Sequence, residues 1–495
     1  MTATHIETDL PSGHEPLLHQ LSQASRTAGQ SLTSIFKEGI QSALADREAF
    51  QRHQSSNLSE ETVERITEQI ARSGVKYIYY TIPTLKSRTV AKMVPARHIV
   101  RNLERGINFH RTAISDLQSD VFGNLIGGIT AKEFVALPVA ETFEQYPWDG
   151  EVGRIFCTTY EPPHLPGIGG RPLGTDSRAN LLRTHQLMKD TFGLTMKTGT
   201  EPEMTWHGDS IKPVLIPGHS PAYQVENLEG MRPIYKRIQE YATSLGFDMI
   251  ETDYEDQGQI ECNWNFDDAE LTADRLVTYR QICAQVAREF NVEASFMPKP
   301  YLGSMGNGCH HNISLWDAEG NNTFVINGVE ELHMSQLGRW AIGGILKHAA
   351  GMMLVMSSTV NSYKRFWDPG QFAPAEANWG LDDRGSSVRI SANGRAEMRI
   401  PDASVNPYLS HSLLLAAMAD GIGNRIEPPA PGASGEALPM TLGDALDAFK
   451  ADDYIQSTLP EEMASLYLEL KTDEWARYCG AVTEWEYKQY WQAIP

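Results

Sequence analysis

The chain has 495 residues, which is long enough for two domains and a large buried core. Its 63 acidic residues outnumber the 42 basic ones and give a formal net charge of −21, which argues against nucleic acid or an anionic membrane as a partner. The five cysteines are an odd number without CxxC spacing, so we expect reduced thiols in a cytoplasmic protein rather than a disulfide framework or a structural zinc site. The longest apolar runs, 343–356 and 412–423, are short or interrupted by charged residues, and we expect buried helices there rather than membrane spans.

The first third of the chain changes character near residue 60. Residues 1–60 are rich in Ser, Thr, Gln and His, which predicts a partly helical N-terminal extension of modest stability. A helix is expected to begin near Ser59, with Ile66 and Ile70 on one face. Short β-rich runs separated by Gly and Pro then predict a small sheet domain over residues 61–172.

A Pro- and Gly-rich connection at 161–178 leads into a second domain, which we place at residues 173–495. Apolar residues at helical spacing predict long helices over 177–192 and 271–290. Polar strand-like segments lie between these helices. The fold class is therefore predicted to be α+β, with helices packed behind strands that carry the chemistry.

Four strand-like segments in the second domain place polar side chains at alternate positions, and hence on one face of a strand. Carboxylates together with a histidine form the ligand set of hard divalent cations such as Mg²⁺ or Mn²⁺, while arginines suit phosphate or carboxylate groups. A solvated strand face is the alternative for any one pair taken alone. The side chains are Glu201 and Glu203, Glu261, His310 with Asn312 and Ser314, and Glu397 with Arg395 and Arg399.

Six stretches in the region 75–425 contain or flank these residues. In chain order they are EPE (201–203), FMPKP (296–300), GNGCHHNISL (306–315), NSYKRF (361–366), WGLDDRGSSVRI (379–390) and AEMRIPDASVNPYL (396–409). Together they closely resemble the motifs of the glutamine synthetase superfamily, and their order is that of the family. The resemblance implies a small β-grasp-like domain followed by a catalytic domain whose curved antiparallel sheet is flanked by helices. It also implies ring-shaped homo-oligomers (hexamer rings, or dodecamers of two rings) with active sites shared between subunits.

The chemistry that the resemblance implies is a two-step ligation that uses ATP and Mg²⁺ (or Mn²⁺). The γ-carboxylate of glutamate attacks the γ-phosphate of ATP, and an amine then displaces phosphate from the γ-glutamyl phosphate. Two cations neutralise the triphosphate while arginines stabilise the developing charge.

The resemblance also carries over a set of site residues. Glu203, Glu261 and a carboxylate near 253–255 are expected to hold one metal ion, and Glu201, His310 and Glu397 the other. Arg365 and Arg399 are expected to contact glutamate and the phosphate, with Arg384 and Arg389 on the phosphates, Ser314 on the nucleotide and the Gly306 backbone on glutamate.

Two ligand positions depart from the family pattern. The family has a glutamate seven or eight positions before the residue matching Glu261, whereas this chain has Tyr254 and Asp253 there and Glu255 six positions before. We favour Glu255 as the third metal ligand, with Asp253 as the alternative. Asn312 replaces the second histidine of a His-x-His motif; it can hydrogen-bond a phosphate or nucleotide oxygen without carrying charge. The neighbouring His311 falls on the other face of the strand and is expected to be packed or at the surface rather than catalytic.

A third departure concerns the amine. Glutamine synthetases carry a glutamate in the loop PGxEAP that attracts ammonium, whereas this chain reads PGQFAP and has Phe372 there. The segment 80–87, which we match to the family's second ammonium-binding element, has no acid near Thr81 or Ile82. An apolar residue disfavours a cation.

These residues favour a glutamate–amine ligase acting on an aromatic amine such as aniline, in amine catabolism. Its ring is expected to stack on aromatic residues such as Phe372, Trp367 or Tyr80. A ligase for alkylamines or polyamines, a true glutamine synthetase and a non-catalytic assembly or regulatory relative remain alternatives, and Phe372 could serve packing only.

Overall fold

The computed structural model describes residues 32–368 and 372–493. The beginning of the predicted extension and positions 369–371 of the PGQFAP loop lie outside these ranges. The five cysteines lie inside them and are all unpaired thiols.

Three helices precede the first strand: α1 (Leu32–Ala45), α2 (Ala49–Asn57) and α3 (Glu60–Ser73). The predicted start of α3 is confirmed, because the Ser59 hydroxyl caps the helix by accepting a hydrogen bond from the Thr62 amide at 3.3 Å. Phe36 and Ile40 of α1 are fully buried, so this part of the extension belongs to the hydrophobic core.

The first sheet is mixed, with strand order β2-β1-β6-β4-β3 and with β5 paired to β6. Only the β1–β6 pair is parallel among its pairings in the described residues. Its elements are β1 (Tyr77–Pro83), β2 (Thr89–Pro95), α4 (Ile99–Arg105), β3 (Ile107–His110), β4 (Glu133–Pro138), β5 (Glu144–Gln145) and β6 (Val152–Tyr160).

The second sheet is curved and has the order β14-β15-β16-β12-β7-β9-β8, with β10 and β11 also paired to β7. Long β7 pairs antiparallel with both β12 and β9, which brings segments far apart in sequence side by side. The strands are β7 (Thr195–His207), β8 (Met249–Asp256), β9 (Gln259–Trp264), β10 (Asp267–Asp268), β11 (Glu293–Ser295), β12 (Cys309–Trp316), β14 (Trp379–Leu381), β15 (Val388–Ile390) and β16 (Ala396–Met398). The short strands β13 (Glu376–Ala377) and β17 (Glu436–Ala437) form a separate pair.

Helices cover the back of this second sheet. The predicted helices over 177–192 and 271–290 and the two buried apolar helices are confirmed as α5, α8, α9 and α10. The helices are α5 (Ser177–Phe192), α6 (Val225–Gly230), α7 (Arg232–Ser244), α8 (Ala269–Phe290), α9 (Gln336–Met356), α10 (Pro407–Asn424), α11 (Leu442–Ala451), α12 (Asp453–Ser457), α13 (Glu461–Cys479) and α14 (Glu484–Tyr490). Within the described ranges, no helix combines the length and apolar character that a membrane crossing requires.

Candidate active site

The open face of the second sheet carries a cavity of about 490 Å³, which we call the acidic cavity. Its walls come from β7, β8, β9, β12, β16 and the loops around them. Seven carboxylates line it: Glu201, Glu203, Glu251, Asp253, Glu255, Glu261 and Glu397. Five arginines face them: Arg365, Arg384, Arg389, Arg395 and Arg399. The fold therefore brings all of the predicted metal ligands and arginines to one cavity.

Three carboxylates form a row across neighbouring strands. Glu203 of β7 lies opposite Glu261 of β9, and Glu261 lies opposite Asp253 of β8. Adjacent strands are about 4.8 Å apart, so three negative charges are close together. Burial and the charges of Glu201 and Glu203 raise the pKa of Glu261 well above its usual range.

The choice between Asp253 and Glu255 is not decided by position, because both side chains line the acidic cavity. Asp253 is in direct register with Glu261, whereas Glu255 lies in an irregularity between Tyr254 and Asp256. Burial and the charges of Glu203 and Asp253 raise the pKa of Glu255 to about 8. Glu255 as the third ligand therefore stays a prediction.

A second group joins Glu201, His310 and Glu397, each of which offers one ligand atom within 4.8 Å of the others. His310 lies opposite Glu201 in the sheet, and its Nδ1 is 3.2 Å from Glu201 Oε2 and 3.6 Å from Glu397 Oε1. Burial opposes ionisation of Glu201, but hydrogen bonds from His310 and Asn312 outweigh it and hold the pKa of Glu201 at about 2.

The donor chemistry of both groups fits divalent metal ions. Carboxylate oxygens with a single imidazole suit Mg²⁺ or Mn²⁺, and the crowding of like charges needs a cation to relieve it. Asp253 Oδ1 is buried and has no hydrogen-bond partner among the described residues, which leaves it available as a ligand atom.

The arginines are held by the same carboxylates and by backbone carbonyls. Arg399 donates to Glu397 and, at 2.9 Å, to the Arg384 carbonyl. Arg389 donates to Glu397 Oε2 at 3.1 Å. Arg365 is only 5% exposed and donates to the Ile400 carbonyl at 3.1 Å. These guanidinium groups are fixed before any substrate binds, which is the arrangement that stabilises developing charge.

Gly306 packs directly on Arg365. A Cβ atom at this position would lie 2.6 Å from Arg365 Cγ and 2.9 Å from the Pro298 carbonyl oxygen, closer than side chains approach. A glycine is therefore required here for Arg365 to reach the cavity.

Asn312 and Ser314 follow His310 on the same face of β12. Asn312 Nδ2 donates to Glu201 Oε1 at 2.7 Å, so this amide orients a predicted metal ligand. The Ser314 hydroxyl accepts a hydrogen bond from Trp316 Nε1 at 2.9 Å. Of the two expectations for His311, packed or at the surface, the structure shows the first: it is fully buried, with Nε2 2.8 Å from the Ser410 hydroxyl.

Phe372 lies in the wall of the acidic cavity, with 53% of its surface exposed and a φ of 58°. The other expected stacking residues are elsewhere. Tyr80 is fully buried in the core, where its hydroxyl accepts from Asn102 Nδ2 at 2.9 Å. Trp367 lines a different cavity and donates to the Met440 carbonyl. The prediction that Tyr80 stacks on an amine is wrong, because its ring is enclosed in the core. The ring of Trp367 is 64% exposed, but it does not line the acidic cavity.

The segment that we match to the family's second ammonium-binding element lies away from the acidic cavity of this chain. Thr81 and Ile82 are each 1% exposed inside β1, and the Thr81 hydroxyl donates to the Ile155 carbonyl at 2.9 Å. Neither residue lines the acidic cavity. The absence of an acid at these two positions therefore does not change the charge inside the acidic cavity of this subunit.

Sequence reasoning missed Tyr223 and Glu251, which also line the acidic cavity. The Tyr223 amide donates to the Tyr254 carbonyl at 2.8 Å, and the charge of nearby Glu255 raises the pKa of its phenol. Tyr223 sits in a loop without a recognisable motif. Glu251 shares the β8 face of Asp253 by strand alternation, which could have indicated it.

Comparison with known proteins shows which family the chain belongs to. The model of the glutamine synthetase catalytic domain matches residues 174–490. The chain is 31% identical over 448 residues to the glutamine synthetase of Rhizobium meliloti (strain 1021), covering 84% of this chain and 96% of that protein. The chain belongs to the glutamine synthetase family.

Other relatives within the glutamine synthetase family carry a different name. The glutamate–methylamine ligase of Methyloversatilis universalis is 31% identical over 448 residues, covering 85% of this chain and 97% of that protein. A solved GmaS/ADP complex superposes with a TM-score of 0.77 at 30% identity, covering 86% of this chain and 99% of that one. GmaS without ligand gives a TM-score of 0.76 at 30% identity, covering 86% of this chain and 98% of that one.

Membership of the glutamine synthetase family makes this protein an ATP-dependent ligase that forms a C–N bond with glutamate. Enzymes of the family generally use ATP and divalent metal ions, act on small molecules and are oligomeric. The predicted α+β fold with a curved sheet is confirmed.

Proposed function

We propose that this enzyme ligates L-glutamate to an uncharged, apolar amine and releases a γ-glutamyl amide, with an aromatic amine such as aniline as the leading substrate and amine catabolism as the role. The observation that carries the proposal is Phe372, a half-exposed apolar ring in the wall of the acidic cavity. The family resemblance places a glutamate at this position in enzymes that use ammonium.

The physical argument rests on the cost of placing a cation beside an apolar ring. Phe372 offers ammonium no charge and no hydrogen-bond acceptor, so an ammonium ion loses hydration there without compensation. An aromatic amine is largely uncharged at neutral pH and can pack its ring on Phe372. The ring also excludes water, which would otherwise hydrolyse the acyl phosphate.

The reaction proposed for the cavity has two steps. The glutamate γ-carboxylate attacks the γ-phosphorus of ATP, and ADP leaves. The amine nitrogen then attacks the acyl carbon of γ-glutamyl phosphate, inorganic phosphate leaves with the acyl C–O bond electrons, and the nitrogen loses a proton. Bound divalent ions would neutralise the phosphate oxygens during phosphoryl transfer.

We assign the site residues as follows. Glu203, Glu255 and Glu261 would hold one Mg²⁺ or Mn²⁺ ion. Glu201, His310 and Glu397 would hold the other, with Asn312 orienting Glu201.

The remaining assignments concern the substrates. Arg365 and Arg399 would bind glutamate and the transferring phosphate, and Gly306 would admit glutamate beside Arg365. The positive charges of Arg384 and Arg389 would stabilise the phosphates, and Ser314 would contact the nucleotide. We further propose that the enzyme acts in the cytoplasm as a homo-oligomer built from hexameric rings.

A second candidate is a ligase for alkylamines. Two observations favour it: a relative is named glutamate–methylamine ligase, and Glu251 lines the same cavity as a carboxylate outside both proposed metal sets. An alkylammonium ion would be attracted to such a charge before it is deprotonated.

One amine panel separates these candidates. Phosphate release is measured with ATP, Mg²⁺ and glutamate plus ammonium, methylamine, isopropylamine, putrescine or aniline. We expect aniline to give the highest kcat/KM. A preference for methylamine or isopropylamine would select the second candidate, and a preference for ammonium would refute the argument from Phe372.

The same assay with Glu203→Ala tests the proposed metal set. We expect glutamate-dependent phosphate release to disappear. Release equal to that of the wild type would remove Glu203 from the catalytic machinery.

A further inference from the structure

A second cavity, of about 790 Å³, is lined by residues that are close in the chain to Gly306 and Arg365 of the acidic cavity, and we call it the aromatic cavity. Its volume is within the range of small-molecule binding sites. The rings and apolar side chains that dominate its walls include Tyr301, Leu302, Trp367, Met440, Trp475 and Tyr478. Nothing in the proposed ligation chemistry uses this cavity.

The two cavities are lined by consecutive parts of the same chain segments. Residues 297 and 299–302 line the aromatic cavity, and residues 305–306 line the acidic cavity. Lys364 lines the former and the adjacent Arg365 lines the latter. The walls of the two cavities are therefore joined by only one to three peptide units near Gly306 and Arg365.

A third shared segment carries Phe372. Trp367 and Asp368 line the aromatic cavity, and Phe372 lines the acidic cavity four residues further along the chain. Asp368 also ties this segment to the first one, because it accepts hydrogen bonds from Lys299 Nζ at 2.7 Å and from the Gly303 amide at 3.2 Å. Lys299 is only 5% exposed, so this ion pair is largely buried and links the segment around Lys299 to the segment around Asp368.

The charge of the aromatic cavity limits what can occupy it. Lys364 Nζ lies 5.8 Å from the centre of the Tyr478 ring at the cavity edge. Across the described ranges, no carboxylate lies within ion-pair distance of this ammonium group. Lys299 and Asp368 neutralise each other, so Lys364 leaves the cavity with one unbalanced positive charge beside aromatic walls.

We propose that the aromatic cavity binds a small aromatic carboxylate, and that its occupancy changes the affinity of the neighbouring site for glutamate. The aromatic body packs on Trp367, Trp475 and Tyr478, and the carboxylate pairs with Lys364. This inference goes beyond the ligase reaction and does not depend on which amine the enzyme uses.

The test uses three probes with one ring and different charges: phenylacetate, phenylacetamide and 2-phenylethylamine. Binding to the full-length enzyme with Mg²⁺ is measured by saturation-transfer difference NMR, which requires no turnover. We expect phenylacetate to bind at least fivefold more tightly than the other two. Lys364→Met should remove this preference.

Leu302 provides a matched pair of variants, because it is 97% exposed at the cavity rim and its replacement leaves the core untouched. Leu302→Glu should weaken phenylacetate binding at least fivefold, whereas the neutral Leu302→Gln should not. In wild-type assays at saturating ATP and amine, phenylacetate should change KM for glutamate at least threefold with kcat within twofold. The change should be lost in Leu302→Glu.

Three results would overturn the inference. Equal binding of phenylacetate and the neutral phenylacetamide would show that Lys364 does not select a carboxylate. Competition of phenylacetate with the amine would place the probe in the acidic cavity. Absence of binding to the full chain would mean that something else, such as a second copy of this chain, covers the cavity. Because binding is read without catalysis, a failed amine panel would leave this inference standing.

Discussion

The contact between Gly306 and Arg365 makes a quantitative prediction for Gly306→Ala. The added methyl carbon would lie 2.6 Å from Arg365 Cγ, and ordinary contact begins at 3.4 Å, so the Arg365 side chain must move by about 0.8 Å. A misplacement of about 1 Å in a positioning group costs roughly 100-fold in rate, which corresponds to about 2.7 kcal/mol of transition-state stabilisation. We therefore expect kcat/KM for glutamate to fall about 100-fold, with KM for ATP within about twofold of wild type.

The assay is steady-state phosphate release with glutamate and ATP varied in turn, together with a thermal melt of each variant. Gly230→Ala is the matched control, because nothing lies within 4 Å of a Cβ atom at that position. The control should leave both kinetics and melting temperature unchanged. A Gly306→Ala enzyme with wild-type kcat/KM for glutamate would refute the claim that Gly306 and Arg365 form the glutamate site.

Three further predictions concern the amine, the metal and the pH. Phe372→Glu should lower the ratio of kcat/KM for aniline to kcat/KM for ammonium at least tenfold, whereas the apolar control Phe372→Leu should preserve this ratio. An unchanged ratio in Phe372→Glu would mean that Phe372 only packs. Mg²⁺ should raise the melting temperature of the wild type, because it relieves the repulsion from Glu203 and Asp253 that acts together with burial to raise the pKa of Glu255. Glu255→Gln should shrink this shift in melting temperature; an equal shift in both proteins would remove Glu255 from the metal set. Burial alone would lower the pKa of His348, but its hydrogen bonds to Asp420 and Asp452, at 3.0 and 2.7 Å, outweigh burial and raise it. The stabilisation of the folded state by protonated His348 is therefore complete below the unfolded pKa of about 6.5 and is lost as the pH rises through the higher folded pKa. In urea unfolding, His348→Gln should lower the free energy of unfolding by about 3 kcal/mol at pH 6 and by less at pH 9. A loss that does not depend on pH would contradict this reasoning.

Local patterns in the sequence were sufficient for much of the fold and for half of the site. Side chains alternate along a strand whatever surrounds it, so Glu201 and Glu203 could be assigned to one face of β7 from spacing alone. The capping serine at Ser59 and the apolar spacing of α8 likewise act within a few residues. These predictions succeeded because the forces behind them are local.

The family motifs predicted which distant residues meet in one site, which spacing along a strand cannot predict. They joined Glu261, His310 and Glu397, which lie up to 136 positions apart in the chain, into one site, and the acidic cavity contains all three. The same reasoning misplaced Tyr80 and Thr81, because a motif match in a divergent segment does not report burial. Both residues are in the interior of β1, where packing against the core fixes their direction.

The sequence by itself determined that this protein is an acidic α+β enzyme of the glutamine synthetase type, with an apolar residue at position 372. Only the tertiary structure decided that Asp253 is in register with Glu261 while Glu255 lies at a pairing irregularity of β8, and that Tyr223 lines the same cavity. The register between two strands is set by the pairing of whole strands and by their packing, and a bulge of one residue shifts every later side chain. Strand register and bulge position therefore depend on residues far apart in the chain, and the few residues around Asp253 and Glu255 do not reveal them.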